Sequence, residues 1–301
     1  MNKTLTCEEV RRVLQSDTLL LDVMTPEDYA ACHIAGAKNA CIYEMVFLDR
    51  VAECASGRSA KIVVYDGSGR SRAAETAQQR LLQAGYQDVS LLQGGLSAWR
   101  ASGYPVETGD TREEAVLNDG SYVIDTEKSS LEWIGRNLNN RHYGRVAIQS
   151  GEVVIRGGNP VSGSVLVDMN GLLNTDLQDE YWRDLLLRHL KSEDFFDTAR
   201  YPTASFRLTG WQAEEVQGPE LATGVLSGEL TIRDVTRPVT CRAIVAAQAD
   251  GSMKAHATLD MDRTLWNVCY GSNKFFERLG MHLVHDMVSL ELFLVANRVG
   301  N

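Results

Sequence analysis

The hydrophobic positions in the first third of the chain form short apolar runs separated by segments with helical spacing. Three of these runs, residues 19–23, 61–65 and 89–92, have the length of buried parallel strands. A helix is predicted from about Arg72 to Ala84, and Thr6 with Glu9 forms a capping box ahead of an N-terminal helix. This alternation predicts a doubly wound α/β module over residues 1–109.

Beyond residue 109 the pattern changes. Residues 110–120 have no clear periodicity and few large apolar side chains, which is typical of a linker. From residue 121 to residue 301 the apolar positions alternate with period two, most clearly at 204–209 and 288–294. One segment, 179–191, has helical spacing instead. The second module is therefore predicted to be an all-β antiparallel sandwich or barrel with one helix.

Charge and composition narrow the classes of partner. The formal net charge is −10, and most of the excess acidity lies after residue 109. Such a surface repels phosphate backbones and anionic headgroups, which disfavours nucleic-acid binding and electrostatic docking on membranes. No apolar run approaches the roughly 20 residues that span a bilayer, and the N-terminal residues lack an apolar leader. The expected location is cytoplasmic, where the six cysteines would stay reduced.

Four segments of the first module carry a family resemblance. They are residues 20–29 (LLDVMTPEDY), 33–39 (HIAGAKN), 94–99 (GGLSAW) and 103–106 (GYPV). In order and spacing these segments resemble rhodanese domains, and the resemblance covers nearly all of residues 1–107. It implies a rhodanese-like fold, whereas sulfurtransferase activity depends on the loop after the central strand.

That loop departs from the pattern of catalytic rhodaneses. In the family a cysteine directly follows the central strand, and convergent backbone N–H groups stabilise its persulfide. Here the strand is followed by Asp66, Gly67, Ser68, Gly69, Arg70, Ser71 and Arg72. A carboxylate cannot carry sulfane sulfur, so no catalytic residue is predicted. Asp66 either pairs with Arg70 or Arg72 to stabilise the turn or belongs to a recognition surface.

A second cysteine sequence imitates the rhodanese motif. Cys54 heads the segment CASGRS at residues 54–59, but this segment precedes the strand. Without a strand-to-helix turn there is no N–H cradle, so we interpret the match as a coincidence of composition. His33 has no nucleophile to activate and is expected to support packing. The first module is predicted to be a catalytically inactive domain with a regulatory role or a role in binding a protein partner.

A second resemblance covers the chain from Tyr122 to its end. Its motifs are residues 133–136 (WIGR), 167–170 (VDMN) with Asp176, 189–197 (HLKSEDFFD), 201–206 (YPTASF), 228–233 (GELTIR) with Thr236, 262–264 (DRT) and 270–280 (YGSNKFFERLG). These motifs resemble the bacterial YceI family. The resemblance implies an eight-stranded, lipocalin-like antiparallel barrel whose elongated apolar cavity holds polyisoprenoid or isoprenoid-quinone-like lipids.

Eight aromatic side chains of the second module are candidate lipid contacts. They are Trp133, Trp182, Phe195, Phe196, Phe206, Trp266, Phe275 and Phe276. These rings either line a cavity or form a solid core, because a small barrel can be hollow or filled. If the two Phe-Phe pairs lie on strands, one ring of each pair faces outward. Such rings suit a barrel mouth, or two loops pack together over the rim.

No metal site is predicted in either module. His282 and His285 are three residues apart in a segment predicted to be extended, so they face opposite sides. No partner is evident for His142 or His256.

Together with these patterns, the two resemblances imply a non-enzymatic carrier or sensor of a long-chain apolar lipid. No cofactor is required, and an isoprenoid or quinone lipid is the expected ligand. Two rivals remain: a sulfurtransferase that uses a non-standard cysteine, and a structural interaction protein whose barrel is filled. The protein partner and the oligomeric state stay open.

Overall fold

The structure, a computed structural model, describes residues 3–109, 115–214 and 221–300. The chain divides into two compact units, Met1–Glu113 and Glu114–Asn301. The first is an α/β unit, and the second is an antiparallel barrel with one α-helix, as the sequence predicted.

The first unit alternates strands and helices. Its elements, in chain order, are β1 (Lys3–Leu5), α1 (Cys7–Val13), β2 (Thr18–Asp22), α2 (Pro26–Ala31), β3 (Cys32–Ile34), β4 (Lys38–Asn39), α3 (Phe47–Cys54), β5 (Lys61–Tyr65), α4 (Ala73–Gln83), β6 (Asp88–Leu92), α5 (Gly95–Ala101) and β7 (Val106–Thr108). The predicted capping box is present, since Thr6 and Glu9 exchange side-chain and backbone hydrogen bonds at the start of α1. β3 and β7 form a separate antiparallel pair.

Five parallel strands form the main sheet, in the order β1-β6-β5-β2-β4. Alternate side chains of β5 bury opposite faces, since Ile62 and Val64 join one core cluster while Val63 and Tyr65 join the other. α3 and α4 cover the first face, and α1 and α5 cover the second. The central strand β5 therefore delivers its C-terminal loop to the carboxyl edge of the sheet, where α/β proteins place ligands.

The second unit consists almost entirely of long antiparallel strands. Its elements are β8 (Gly120–Ile124), β9 (Ser130–Arg136), β10 (Arg141–Arg156), β11 (Asn159–Asn174), α6 (Glu180–Lys191), β12 (Thr203–Ala213), β13 (Leu221–Ile232), β14 (Val235–Ala247), β15 (Met253–Asp262) and β16 (Met287–Arg298), with short 3-10 helices at Arg263–Trp266 and Gly280–His282. α6 matches the predicted helix, and the side chain of Asp179 caps it by accepting the N–H of Trp182.

Nine strands occupy eight positions in the closed barrel. β8 and β9 follow each other along one position, because each pairs with β10 on one side and with β16 on the other. Ser129 fills the gap between them, since its hydroxyl accepts the N–H of Val295. Register shifts in the β10–β11 ladder bend these two 16-residue strands around the barrel.

The linker predicted at residues 110–120 differs from what the structure places there. Residues 110–114 lie outside the described residues, and β8 already begins at Gly120. Leu117 is only 3% exposed and belongs to the barrel core. Asp119 accepts the N–H of Gly157. One run of three apolar residues, 115–117, in a polar segment gives no periodic signal, which is why this attachment was not predicted.

Candidate functional site

A cavity of about 320 Å³ occupies one half of the barrel. Along β16 the inward side chains of Val288, Leu290 and Leu292 line it, whereas Leu294 and Ala296 lie in the packed core beyond it. The cavity therefore follows about 13 Å of this strand. Its lining from the barrel strands is almost wholly apolar.

The cavity lies toward one end of the barrel, which we call the mouth end. This end is formed by the connections at residues 137–140, 175–202, 233–234 and 263–286. The described part of the opposite half is filled by side chains such as Tyr122, Ile155 and Met253. The barrel is thus filled at one end and hollow at the other, which the period-two pattern could not distinguish.

Polar side chains line the cavity at the mouth end. His142 Nδ1 lies 2.9 Å from Asp176 Oδ2, and Asp176 Oδ1 accepts the N–H of Tyr143 at 2.9 Å. Burial acts to raise the pKa of Asp176, but hydrogen bonds from Tyr143, His142 and Asn174 outweigh it and lower that pKa. Because an ionised carboxylate only accepts, Nδ1 of His142 donates, and in the neutral ring Nε2 is then an acceptor.

Arg263 is a buried cation in the wall of the mouth end. Its guanidinium donates to the carbonyl oxygens of Val268, Val284 and His285 at 2.6–3.1 Å and lies 3.7 Å from Asp286. Burial lowers the pKa of Arg263 from its usual value, and the nearby Asp286 opposes this shift. These bonds fix the connection 263–286 and place a positive charge beside the cavity.

An aromatic cluster joins α6 to the same connection. The ring of His189 lies 4.6 Å from that of Tyr270 and 5.0 Å from that of Phe195, both edge to face. All three side chains line the cavity. Their contacts hold α6 across the mouth end, where Leu186 and Leu190 complete its apolar wall.

Four of the eight predicted lipid contacts line the cavity. Trp133 and Phe206 point inward from β9 and β12, and Phe195 and Phe196 reach the cavity from the turn after α6. Both rings of this pair face the interior, because they lie in a turn where strand alternation does not apply. Their contact with lipid stays a prediction.

The other four predicted contacts do not line the cavity. Trp266 is buried in a 3-10 helix, and its indole N–H donates to the Leu230 carbonyl at 2.9 Å. Trp182, Phe275 and Phe276 are exposed. Trp182 lies on the predicted helix, with its ring toward solvent, and the two phenylalanines lie in a loop, where strand alternation does not apply.

In the first unit, Asp66 lies at the centre of the loop at residues 66–72. The residue is 1% exposed. Its carboxylate accepts hydrogen bonds from the N–H groups of Ser68 and Gly69 and from the hydroxyl of Ser71. The loop packs directly on the next turn, because a Cβ at Gly95 would lie 2.3 Å from the Asp66 carbonyl oxygen. The inward N–H groups are thus satisfied by the loop's own side chain.

Of the two interpretations of this loop, the one that pairs Asp66 with Arg70 or Arg72 is wrong. Both arginines are exposed and form no ion pair within the described residues. Backbone donors are closer to a buried carboxylate than long side chains that would have to fold back over the loop. His33 has the expected packing role, since it stacks on Tyr29 at 3.8 Å and its Nδ1 lies 2.7 Å from the Tyr29 carbonyl oxygen.

Two cysteines line a second pocket, which lies in the first unit. Cys54 is the last residue of α3 and is exposed, and Cys41 is buried beside it in the pocket wall with Arg50. The end of a helix presents carbonyl groups instead of N–H groups. Cys54 therefore has the surroundings expected for a coincidental motif match.

Sequence reasoning missed most of the polar residues at the mouth end. His142 and His256 do have partners, Asp176 and Glu291 respectively. Arg136, Asp176 and Arg263 stood in the family motifs, and that position in a motif was the one signal that could have identified them. Their roles depend on long-range contacts that spacing does not reveal.

Two further observations concern the described residues alone. No group of three His, Cys, Asp or Glu side chains there is arranged to hold a metal ion. None of the helices in these ranges combines the length and the apolar character needed to cross a membrane.

Comparison with known proteins gives relatives for both units. Thiosulfate sulfurtransferase GlpE of Pseudomonas paraeruginosa (strain DSM 24068 / PA7) is 28% identical over 107 residues, which are 36% of this chain and 91% of the relative. Protein YceI of Escherichia coli O157:H7 is 41% identical over 63 residues, which are 21% of this chain and 30% of the relative. A solved structure described as a polyisoprenoid binding domain from Saccharophagus degradans implicated in plant cell wall breakdown is 14% identical and has a TM-score of 0.46. It covers 60% of this chain and 100% of that chain.

Family models match the two units separately. The model of the rhodanese-like domain matches residues 6–102, and the model of the YceI-like domain matches residues 122–296. The second match covers more than half of the 301 residues. The chain therefore belongs to the YceI-like family and carries an N-terminal rhodanese-like domain.

Proposed function

We propose that this protein is a carrier or sensor of a long-chain apolar lipid of the isoprenoid or isoprenoid-quinone type, held in the barrel cavity. The observation that carries the proposal is the half-hollow barrel, whose cavity has apolar strand walls and a polar end. A well-packed barrel would not leave about 320 Å³ of apolar space without a ligand to fill it. The cavity also disfavours the rival with a filled barrel.

The energetics favour retention of such a ligand. Burying a chain in this cavity contributes roughly 0.8 kcal/mol per CH₂ before the ordering terms are subtracted. A lipid tail that fills the cavity would therefore stay bound through purification. At the mouth end, Nε2 of His142 can accept a hydrogen bond from a headgroup hydroxyl, and Arg263 places a positive charge beside it. An amphiphile with one polar head suits this arrangement.

The test is mass spectrometry of organic extracts from the purified full chain and from two variants of β14. Val239 faces the cavity, and its neighbour Thr240 is exposed. Val239→Glu places a carboxylate in the cavity without a partner, so it should remove most of the bound lipid. Thr240→Glu adds the same charge outside and should retain it. Extracts of the unaltered protein without any long-chain lipid would refute the carrier function.

For the first unit we propose that the rhodanese-like domain does not transfer sulfur and instead serves as a regulatory or interaction domain. The support is Asp66, which occupies the position after the central strand and fills the N–H cradle with its own carboxylate. Thiosulfate-to-cyanide transfer by the full chain should remain at background. A substantial rate abolished by Cys54→Ser would instead establish the rival sulfurtransferase that uses a non-standard cysteine.

A further inference from the structure

Large apolar side chains are exposed on three of the connections that form the mouth end. They are Leu138 on the β9–β10 hairpin, Tyr181, Trp182 and Leu185 on α6, and Phe275, Phe276 and Met281 on the connection 263–286. We call this set the rim. Soluble surfaces rarely gather so many large apolar groups around one opening, and such gatherings mark interaction sites.

The rim is continuous with the cavity wall. On α6, Trp182 lies one turn before Leu186 and two turns before Leu190, so it continues the stripe that lines the cavity outward to the surface. Next to Leu138, Asn137 lines the cavity, and after Met281 the chain returns to the cavity at Val284. The exposed rings thus extend an apolar path from the interior to the solvent.

An exposed cation lies close in sequence to the rim residues of each connection: Arg188 and Arg278 lie on the connections themselves, and Arg141 is the first residue of β10. Arg141, Arg188 and Arg278 are exposed and form no ion pair with any described carboxylate. Acidic and basic side chains are nearly balanced over the mouth-end connections, although the chain as a whole carries −10. A phospholipid bilayer has a phosphate layer above its acyl chains. Arginines without an ion pair, placed beside exposed apolar side chains, could contact these phosphates while the apolar groups enter the acyl region.

We propose that the rim docks on a phospholipid bilayer and that the cavity loads and unloads its lipid through this contact. The proposal rests on the lipid-carrier function above, because an apolar ligand resides in membranes and would otherwise have to cross water. Tryptophan and tyrosine have an apolar body and a polar tip, which suits the bilayer interface. Insertion of apolar groups, aided by arginine–phosphate contacts, drives the docking, so it does not need anionic lipid.

The test is flotation of the full chain with phosphatidylcholine vesicles. The rim variant combines Trp182→Ser, Phe275→Ser and Met281→Ser, none of which lines the cavity. The control variant combines Tyr43→Ser, Met45→Ser and Val46→Ser, which removes three exposed apolar side chains from the first unit.

We expect the unaltered chain and the control variant to float with the vesicles. The rim variant should bind them at least about tenfold more weakly. Arg188→Gln with Arg278→Gln should weaken binding by a smaller factor. If the unaltered chain does not float, or the rim variant floats equally well, the docking proposal is overturned. A dimer in sedimentation that the rim variant abolishes, without vesicle binding, also overturns it and assigns the rim to a second copy.

Failure of the carrier function is measured separately. The unaltered chain should yield lipid on extraction, and the rim variant should yield less, because its cavity wall is unchanged but its loading contact is weakened. Extracts of the unaltered chain without lipid, together with flotation that depends on the rim, would refute the carrier function and leave membrane docking supported.

Discussion

In the first unit the carboxylate of Asp66 fills the position where a ligand or substrate would lie, whereas in the second unit none of the described side chains fills the centre of the barrel at the mouth end. Both places are the ligand positions typical of their folds, the carboxyl edge of a parallel sheet and the interior of a barrel. The loop of the first unit is occupied by its own side chain, and the cavity of the second unit is open to a ligand.

This difference shows how one chain can retain two ligand-binding folds and keep only one open site. At the 66–72 loop, one acidic residue is enough to close the cradle, because it supplies acceptors to the donors that would otherwise attract an anion. In the barrel, closure would require larger side chains at many inward positions on several strands. A binding site made of many apolar walls is therefore harder to lose by a single substitution.

The largest expected effect is on the closed site. Asp66→Ala leaves the N–H groups of Ser68 and Gly69 and the hydroxyl of Ser71 without their acceptor, which should lower the free energy of unfolding of the first unit by about 2–4 kcal/mol. Hydrogen exchange of β5 and α4 amides in the full chain measures this loss. Barrel amides should not change.

The matched control is Asp49→Ala, an exposed aspartate on α3. It should change the stability of the first unit by no more than about 0.5 kcal/mol. If both substitutions had the same small effect, Asp66 would not be filling a cradle, and the contrast between the units would disappear.

A smaller effect should distinguish a packed interior from a hollow one. Ala77→Leu adds volume to the packed core beneath α4, where Ala77 is fully buried, and should destabilise the first unit by about 1–3 kcal/mol. Ala257→Leu adds the same volume to the cavity wall, where there is room for it. Its effect on barrel stability should be near zero, while lipid recovered in extracts should fall. An equal loss of stability in both variants would show that the barrel is packed as tightly as the α/β core.

The sequence predicted those features that follow from local periodicity. The run at 61–65 gave β5 with its bounds, and the alternation at 204–209 placed Phe206 on the inner face of β12. The same rule failed for Phe275 and Phe276, because alternation assigns a face only where the backbone is extended. For Trp266 the sequence left cavity lining and core packing as alternatives; its buried indole bonds to Leu230 and packs in the core.

The hollow interior could not be predicted at all from pattern. A cavity wall and a packed core require the same apolar residues at the same spacing, and only the volumes that meet across the barrel decide between them. Likewise, the partner of Asp66 depends on the path of the loop in three dimensions. The sequence shows that a carboxylate stands at this position, but it does not show which groups donate hydrogen bonds to it.

The stability of the two units should also change in opposite directions as the pH falls. In the first unit, burial raises the pKa of Asp22, although the N–H of Met24 partly offsets this. In the second unit, burial acts in the same direction on Asp176, but its hydrogen bonds prevail and lower its pKa. The ionised form is therefore disfavoured by folding at Asp22 and favoured by folding at Asp176.

This opposition gives the smallest predicted effect, and its sign follows from proton binding. As the pH falls through the raised pKa of Asp22 toward the ordinary aspartate value of about 3.9, the folded first unit binds a proton before the unfolded chain does, so Asp22 adds stability. Below that value the unfolded chain protonates first at Asp176, so the barrel loses stability as the pH falls through the lowered pKa. Hydrogen exchange of each unit, corrected for the intrinsic rate at each pH, measures both slopes.

Asp22→Asn should remove the gain in the first unit, and Asp176→Asn should reduce the acid loss in the barrel, because neither amide titrates. If Asp176→Asn left the barrel's acid profile unchanged, the carboxylate beside His142 would not be held in its ionised form, and the polar end of the cavity would lack the acceptor that orients His142 toward a headgroup.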